Sequence, residues 1–175
     1  MATKAHTVDI DHVFFDETFY RAYPNASKKE YSFAKSLVDD GVIAIETLLE
    51  VAVSQVGNLI RDSAHGKDFK NGDDVKKASV RTFNHGMSYA ANVSQVHTKV
   101  GRLRVMCYER KQDKFYYFII PNHAFQHISS TSNIDIPFEL DGTPRRVPKR
   151  KKRYANWWDY EVESFEKMAR KRKVK

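Results

Sequence analysis

Acidic side chains crowd one short stretch of the chain, and a Lys follows them at a spacing suited to hydrolytic chemistry. The stretch contains four acids and the triplet Asp74-Val75-Lys76, the acids being Asp62, Asp68, Asp73 and Asp74. Carboxylates bind hard divalent ions, and such an ion beside a phosphate promotes hydrolysis of a phosphodiester bond. Residues two apart in a strand point to one face, so Asp74 and Lys76 are expected to converge.

A second pair of acids lies upstream, on a stretch with helical periodicity. Glu46 and Glu50 are one helical turn apart. Glu46 falls nearer the edge of the apolar stripe, so it is the better candidate for reaching a site where this helix meets the first strand.

The order of these features resembles that of the restriction-endonuclease-like nucleases with the PD-(D/E)XK motif, over about residues 40–121. A helical Glu is followed by an acid, then by acid-x-Lys on a strand, then by a hairpin that ends in an apolar run and Pro121. The resemblance implies an α/β core with Mg²⁺ or Mn²⁺ bound by Asp62 and Asp74. It also implies that Lys76 lies beside the attacking water and that Glu46 is an accessory acid.

Two other interpretations of the same stretch stay open. In a second register Asp74 is the first acid and Ser79-Val80-Arg81 replaces the second triplet, which would leave a degenerate site that binds DNA without cutting it. Alternatively, Asp73 and Asp74 merely form a turn with the preceding Asn71-Gly72 before a strand begins.

Histidines offer a competing chemistry, because a compact His-Asn-His nuclease uses them as base and metal ligand. The candidates are His85, His97, His123 and His127. Only His123 and His127 have a spacing that places two of them on one helical face.

The positive charge of the chain lies in its last 31 residues. The net charge is +8, with 17 basic and 18 acidic residues over 1–144 but 13 basic and 4 acidic residues over 145–175. Lys and Arg bind phosphates by releasing counterions, so this pattern predicts a nucleic-acid partner, with DNA favoured over RNA. The predicted contacts are Arg145, Arg146, Lys149, Arg150, Lys151, Lys152, Arg153, Arg170, Lys171, Arg172 and Lys173. A nuclear-localisation signal and an anionic membrane surface are weaker interpretations of the same clusters.

Composition excludes several classes of protein. The single Cys107 cannot form an internal disulfide or a Cys-based metal site. No apolar run has the length of a membrane span, and the start lacks the apolar region of a secretory signal. The expected location is therefore cytoplasmic or nucleoid-associated, or nuclear in a eukaryote. Gly-x-Ser-x-Gly, Walker and dinucleotide motifs are absent from the sequence.

The periodicity of the apolar residues predicts the elements that position these groups. Helical spacing over Ser27 to Asp62 is interrupted at Asp39-Asp40-Gly41, which predicts two helices. Strand-like runs follow from Val75, and a hairpin is predicted near 102–120. We therefore expect an α/β or α+β fold with N-terminal helices, a central mixed sheet and a C-terminal basic helix.

These patterns predict how the chain divides into domains, and they also predict its function. The expected division is a globular core over 1–144 and a basic extension over 145–175, with a helix near 156–169. The predicted function is that of a Mg²⁺-dependent endonuclease acting on DNA, for which a homodimer is a natural assembly. The alternative is a DNA- or RNA-binding protein without catalysis.

Overall fold

The computed structural model describes residues 2–62, 68–126, 133–146 and 156–170, with side chains described from residue 11 onward. Within these ranges the fold is α+β, as predicted. The helices are α1 (Ala2–Ala22), α2 (Lys28–Asp39), α3 (Ile45–Gly57), α4 (Asn122–Phe125) and α5 (Phe165–Ala169). The strands are β1 (Asp74–Phe83), β2 (Ser88–Val93), β3 (Arg102–Glu109), β4 (Lys114–Pro121), β5 (Ile134–Phe138) and β6 (Glu161–Val162).

The chain forms two compact units, of which the first is helical and comprises residues 1–61 with 169–175. In it α1 packs against α3 through buried side chains that include Phe14 and Leu49. A capping box between Ser27 and Glu30 starts α2. The interruption predicted at residues 39–41 is confirmed, because α2 ends at Asp39 and Gly41 adopts a φ of +76°. None of the described helices combines the length and the apolar character needed to cross a membrane.

The second unit, residues 62–168, is built on a six-stranded mixed sheet with the strand order β5-β2-β1-β3-β4-β6. β1 runs parallel to β3, and the other neighbouring pairs are antiparallel. The predicted hairpin is confirmed, with β3 and β4 paired from Arg102 opposite Pro121 to Glu109 opposite Lys114. The sheet therefore places the start of β1 beside the start of β3.

The core of the sheet unit lies on one face of these strands. It includes Ala78 on β1, Leu103 and Val105 on β3, and Phe118 on β4. Because side chains alternate along a strand, Asp74 and Lys76 emerge on the same face of β1 as Ala78. The start of β1 therefore carries polar groups at the edge of an apolar core.

The predicted helix near 156–169 is interrupted in the structure. Trp157–Tyr160 form a 3-10 turn, β6 follows, and only Phe165–Ala169 are α-helical. The physical reason is tertiary, since β6 pairs with β4 and the Trp158 indole N–H donates to the Pro137 carbonyl at 2.9 Å. Trp158 and Phe165 are buried, so the packed sheet unit continues beyond residue 144.

Candidate active site

The loop before β1 is folded back on itself by backbone hydrogen bonds. The Asp62 N–H donates to the Asp68 carbonyl at 2.8 Å, and the N–H groups of Asp68 and Phe69 both donate to the Asp73 carbonyl at 3.1 Å. The Phe69 side chain is fully buried and anchors the turn. Asp68 is thereby held next to the first residues of β1.

Asp68 and Asp74 form a carboxyl pair. Oδ2 of Asp68 accepts the Val75 N–H at 2.8 Å, which places the Asp68 carboxyl beside Asp74. Asp74 is only 4% exposed. Burial first, and then the neighbouring Asp68, raise the pKa of Asp74 to about 8, while Lys76 opposes the shift. A carboxyl with a pKa raised in this way keeps its proton near neutral pH unless a bound cation displaces it.

Lys76 completes the group, which we call the carboxyl site and define as Asp68, Asp74 and Lys76. Its Nζ lies 3.6 Å from Oδ2 of Asp74, which confirms that the two side chains share a face of β1. Lys76 is half-buried, and Oδ2 of Asp74 is buried without a hydrogen bond to any described residue. The Lys76 ammonium offsets only part of the cost of ionising this buried carboxyl, since the pKa of Asp74 stays raised, and a second cation here would lower that cost further.

Asp73, although adjacent to Asp74, belongs to a different network. Its Oδ2 accepts from Arg104 Nε at 3.1 Å and Nη2 at 3.0 Å, and Nη2 of Arg102 lies 3.1 Å away. Nη1 of Arg104 donates to the Met168 carbonyl. Burial lowers the pKa of the Arg104 guanidinium, and the Asp73 carboxylate counteracts that shift. Asp73 therefore ties the loop to β3 and is not available for chemistry at the carboxyl site.

Comparisons of the chain with protein-family models, with curated proteins and with solved structures find no match.

The predicted metal ligands were Asp62 and Asp74, and the structure pairs Asp74 with Asp68. Asp62 lies in the same loop with a half-buried side chain, and its backbone bonds to Asp68. Asp68 belongs to the acidic stretch but was not among the predicted site residues. The spacing of Asp62 and Asp68 in the sequence does not indicate which of them approaches Asp74, because that depends on the path of the loop before β1.

Other predicted site residues lie elsewhere. Glu46 is exposed in the first turn of α3, in the helical unit. Ser79 and Arg81 emerge on the face of β1 opposite to Asp74, because they follow it by five and seven positions, both odd, along a strand that pairs without a bulge. The second register therefore does not assemble with Asp74.

Among the histidines, His85, His97 and His123 are exposed, and His127 lies outside the described residues. Within the described ranges, no three His, Cys, Asp or Glu side chains come together as a metal site would require. The carboxyl site contributes two carboxylates, which is the number that Mg²⁺ commonly takes from a protein when substrate phosphate and water supply the remaining ligands.

Three of the predicted nucleic-acid contacts can be located. Arg145 and Arg170 are exposed. Arg146 lies 3.6 Å from the Glu161 carboxylate, and its guanidinium sits 5.4 Å from the centre of the Trp158 ring. The remaining predicted contacts lie outside the described residues, namely Lys149, Arg150, Lys151, Lys152, Arg153, Lys171, Arg172 and Lys173.

Proposed function

We propose that the protein is a metal-dependent endonuclease that hydrolyses phosphodiester bonds in DNA at the carboxyl site. The observation that carries the proposal is the position of Asp68, whose carboxylate accepts the Val75 N–H, beside the Asp74–Lys76 pair at the buried start of β1. The resemblance to PD-(D/E)XK nuclease motifs agrees with this choice of Asp74 and Lys76 and is part of the proposal.

The residues fit a divalent cation such as Mg²⁺ or Mn²⁺. Asp68 and Asp74 would hold it, because a further positive charge beside these two acids would reduce the cost of ionising the buried Asp74 carboxyl. When bound, such an ion activates water and stabilises the leaving oxygen. Asp62 is the alternative ligand from the same loop.

Lys76 has a separate role in the proposal. Its ammonium lies 3.6 Å from Asp74, which keeps a positive charge at the mouth of the carboxyl site. A cation in this position attracts the scissile phosphate and offsets the negative charge that develops on it. Lys76 would also orient the attacking water by donating a hydrogen bond to it.

The basic residues after Pro144 would hold the DNA backbone. The net charge of +9 over residues 145–175 supplies affinity for phosphate that is independent of sequence. The same charge supports the second candidate function, binding of DNA or RNA without catalysis, since it needs no carboxyl site.

The direct test is nicking of supercoiled plasmid by the purified protein in Mg²⁺, in Mn²⁺ and in EDTA. We expect nicking that depends on the metal and falls by roughly 100-fold or more in Asp74→Asn and in Asp68→Asn, because each removes a proposed ligand. Asp62→Asn is the matched control from the same loop and is expected to stay within a few-fold of wild type.

Gel retardation of the same plasmid separates the two functions. Retardation without nicking in any metal would leave the binding function and remove the catalytic one. Equal nicking by wild type and Asp74→Asn would contradict the assignment of the site, and a loss confined to Asp62→Asn would return the ligand role to Asp62.

A further inference from the structure

Helix α2 carries a face that the rest of the described chain leaves uncovered. None of its twelve residues is fully buried, and its apolar side is only half-buried, with Tyr31 packed on Phe15 and Phe19 of α1. Phe33 is 67% exposed, which is unusual for an aromatic side chain in an ordered helix. The exposed face holds Phe33 among polar residues, and an aromatic ring left this exposed is stabilised when a partner covers it.

Four exposed residues form a line along this face, which we call the α2 stripe: Lys29, Phe33, Ser36 and Asp40. They are spaced by four, three and four residues, so they lie within about 60° of one another around the axis. A basic end, an aromatic centre and an acidic end therefore share one stripe.

The charges at the two ends of α2 oppose its dipole. Lys28 and Lys29 occupy the first turn, and Asp39 and Asp40 close the helix. Cations near the N-terminus and anions near the C-terminus destabilise an isolated helix. Glu30 in the capping box offsets part of this effect. The order of charges is unfavourable within the helix, but it suits an external partner with the reverse order.

We propose that α2 pairs with α2 of a second copy of this chain, antiparallel and about a twofold axis. Inversion of the stripe sets Lys29 against the partner's Asp40 and, by symmetry, Asp40 against the partner's Lys29. The axis passes between Phe33 and Ser36, so each Phe33 ring packs over the small side chain of the partner's Ser36. A stripe that is complementary to its own inverted copy has the property that an isologous interface requires.

The dimer is expected to be weak. A stable protein interface buries about 1,200–2,000 Å² in total, and one pair of twelve-residue helices reaches only the lower part of that range. Self-association should therefore appear in the micromolar range and weaken at high salt, since exposed ion pairs contribute to it.

Charge reversal tests this pairing in the full chain, by sedimentation velocity in EDTA and without DNA. Lys29→Asp puts acids at both ends of the stripe, and Asp40→Lys puts bases at both ends. Each variant alone is expected to weaken self-association by at least about tenfold, because both ion pairs become repulsive. An equimolar mixture of the two variants should restore it, because every pair then joins opposite charges.

Helix stability does not confound this test. Both reversals place charges that favour the dipole of α2, so thermal stability is expected to stay equal or rise. Lys28→Asp and Asp39→Lys are the matched controls, since they make the same charge changes away from the stripe and should not weaken self-association. Phe33→Ser should weaken it without being rescued by mixing.

Two outcomes overturn the inference. The first is a wild-type protein that stays monomeric over the micromolar range, and the second is a mixture of Lys29→Asp with Asp40→Lys that fails to associate. Neither outcome bears on the carboxyl site, since metal and DNA are absent from the measurement. If both proposals hold, the dimer carries two carboxyl sites, which matches the twofold relation between the strands of a duplex.

Discussion

Asp73 and Asp74 are neighbours in the chain but contact different side chains. Asp73 accepts hydrogen bonds from Arg102 and Arg104, whereas Asp74 meets the Asp68 carboxyl. Successive side chains of an extended chain point to opposite faces, so one acid reaches the basic residues of β3 and the other reaches the loop. Asp73 therefore has a structural role, whereas Asp74 is the acid that we propose for the metal site.

The raised pKa of Asp74 predicts how stability depends on pH in the metal-free protein. The folded chain keeps a proton at Asp74 up to about pH 8, whereas the unfolded chain releases it near pH 4. The folded state binds more protons between these values, so the free energy of unfolding falls as pH rises from 4 to 8. Asp74→Asn should remove part of this dependence and stabilise the protein at pH 8 by about 1–3 kcal/mol.

Urea unfolding in EDTA at pH 5 and pH 8 measures the effect. Asp135→Asn, which changes an exposed acid on β5, is the control. If the free energies of unfolding of wild type and Asp74→Asn differ by the same amount at both pH values, the raised pKa of Asp74 is contradicted.

At the scale of elements, one glycine of the helical unit lies against the backbone of Ala169, which belongs to the same unit. A Cβ added to Gly57, the last residue of α3, would lie 1.6 Å from the Ala169 carbonyl oxygen. That distance is far inside van der Waals contact, so only glycine permits the approach. The close approach joins residues that are far apart in the sequence, and no local pattern indicates it.

Gly57→Ala tests the approach because two effects predict opposite signs. Helix propensity alone predicts stabilisation by up to about 1 kcal/mol. The contact with Ala169 predicts destabilisation, of about 1–3 kcal/mol, since the backbone must move apart. Thermal unfolding decides between them, with Gln55→Ala on the exposed side of α3 as the control within about 0.5 kcal/mol of wild type. A stabilised Gly57→Ala protein would show that the two backbones do not meet.

At the scale of the whole molecule, charge is separated along the chain, from a net −1 over residues 1–144 to +9 over 145–175. Deleting the second part would also remove Trp158 and Phe165 from the packed interior of the sheet unit. Substitution is therefore the informative way to test the basic residues, because it changes charge and keeps Trp158 and Phe165 in the chain.

Neutralising the basic cluster over residues 149–153 to Gln predicts a weaker salt dependence of DNA binding. Each phosphate contact contributes about −0.9 to the slope of log affinity against log salt, so losing up to five contacts reduces the magnitude of the slope by up to about 4.5. Fluorescence anisotropy at several salt concentrations measures it. An unchanged slope would mean that these residues do not contact phosphates.

Much of this architecture follows from local patterns in the sequence. Alternating side chains around a polar turn predicted the β3–β4 hairpin, and helical spacing with the break at Asp39-Asp40-Gly41 predicted α2 and α3. The convergence of Asp74 and Lys76 was also predictable, because it depends only on the alternation of a single strand. These features involve residues close together in the chain, where geometry is set by the backbone.

The tertiary structure decided what depends on distant residues. Asp68 rather than Asp62 meets Asp74, because a buried Phe69 and backbone hydrogen bonds set the path of the loop. Asp73 has a structural role because Arg104, 31 residues away in the sequence, donates a hydrogen bond to its carboxylate. The stretch around Trp158 has helical spacing, but pairing of β6 with β4 and burial of the indole outweigh that local preference. Contacts between residues that are distant in the sequence depend on how the elements pack, and the spacing of residues along the chain does not predict them.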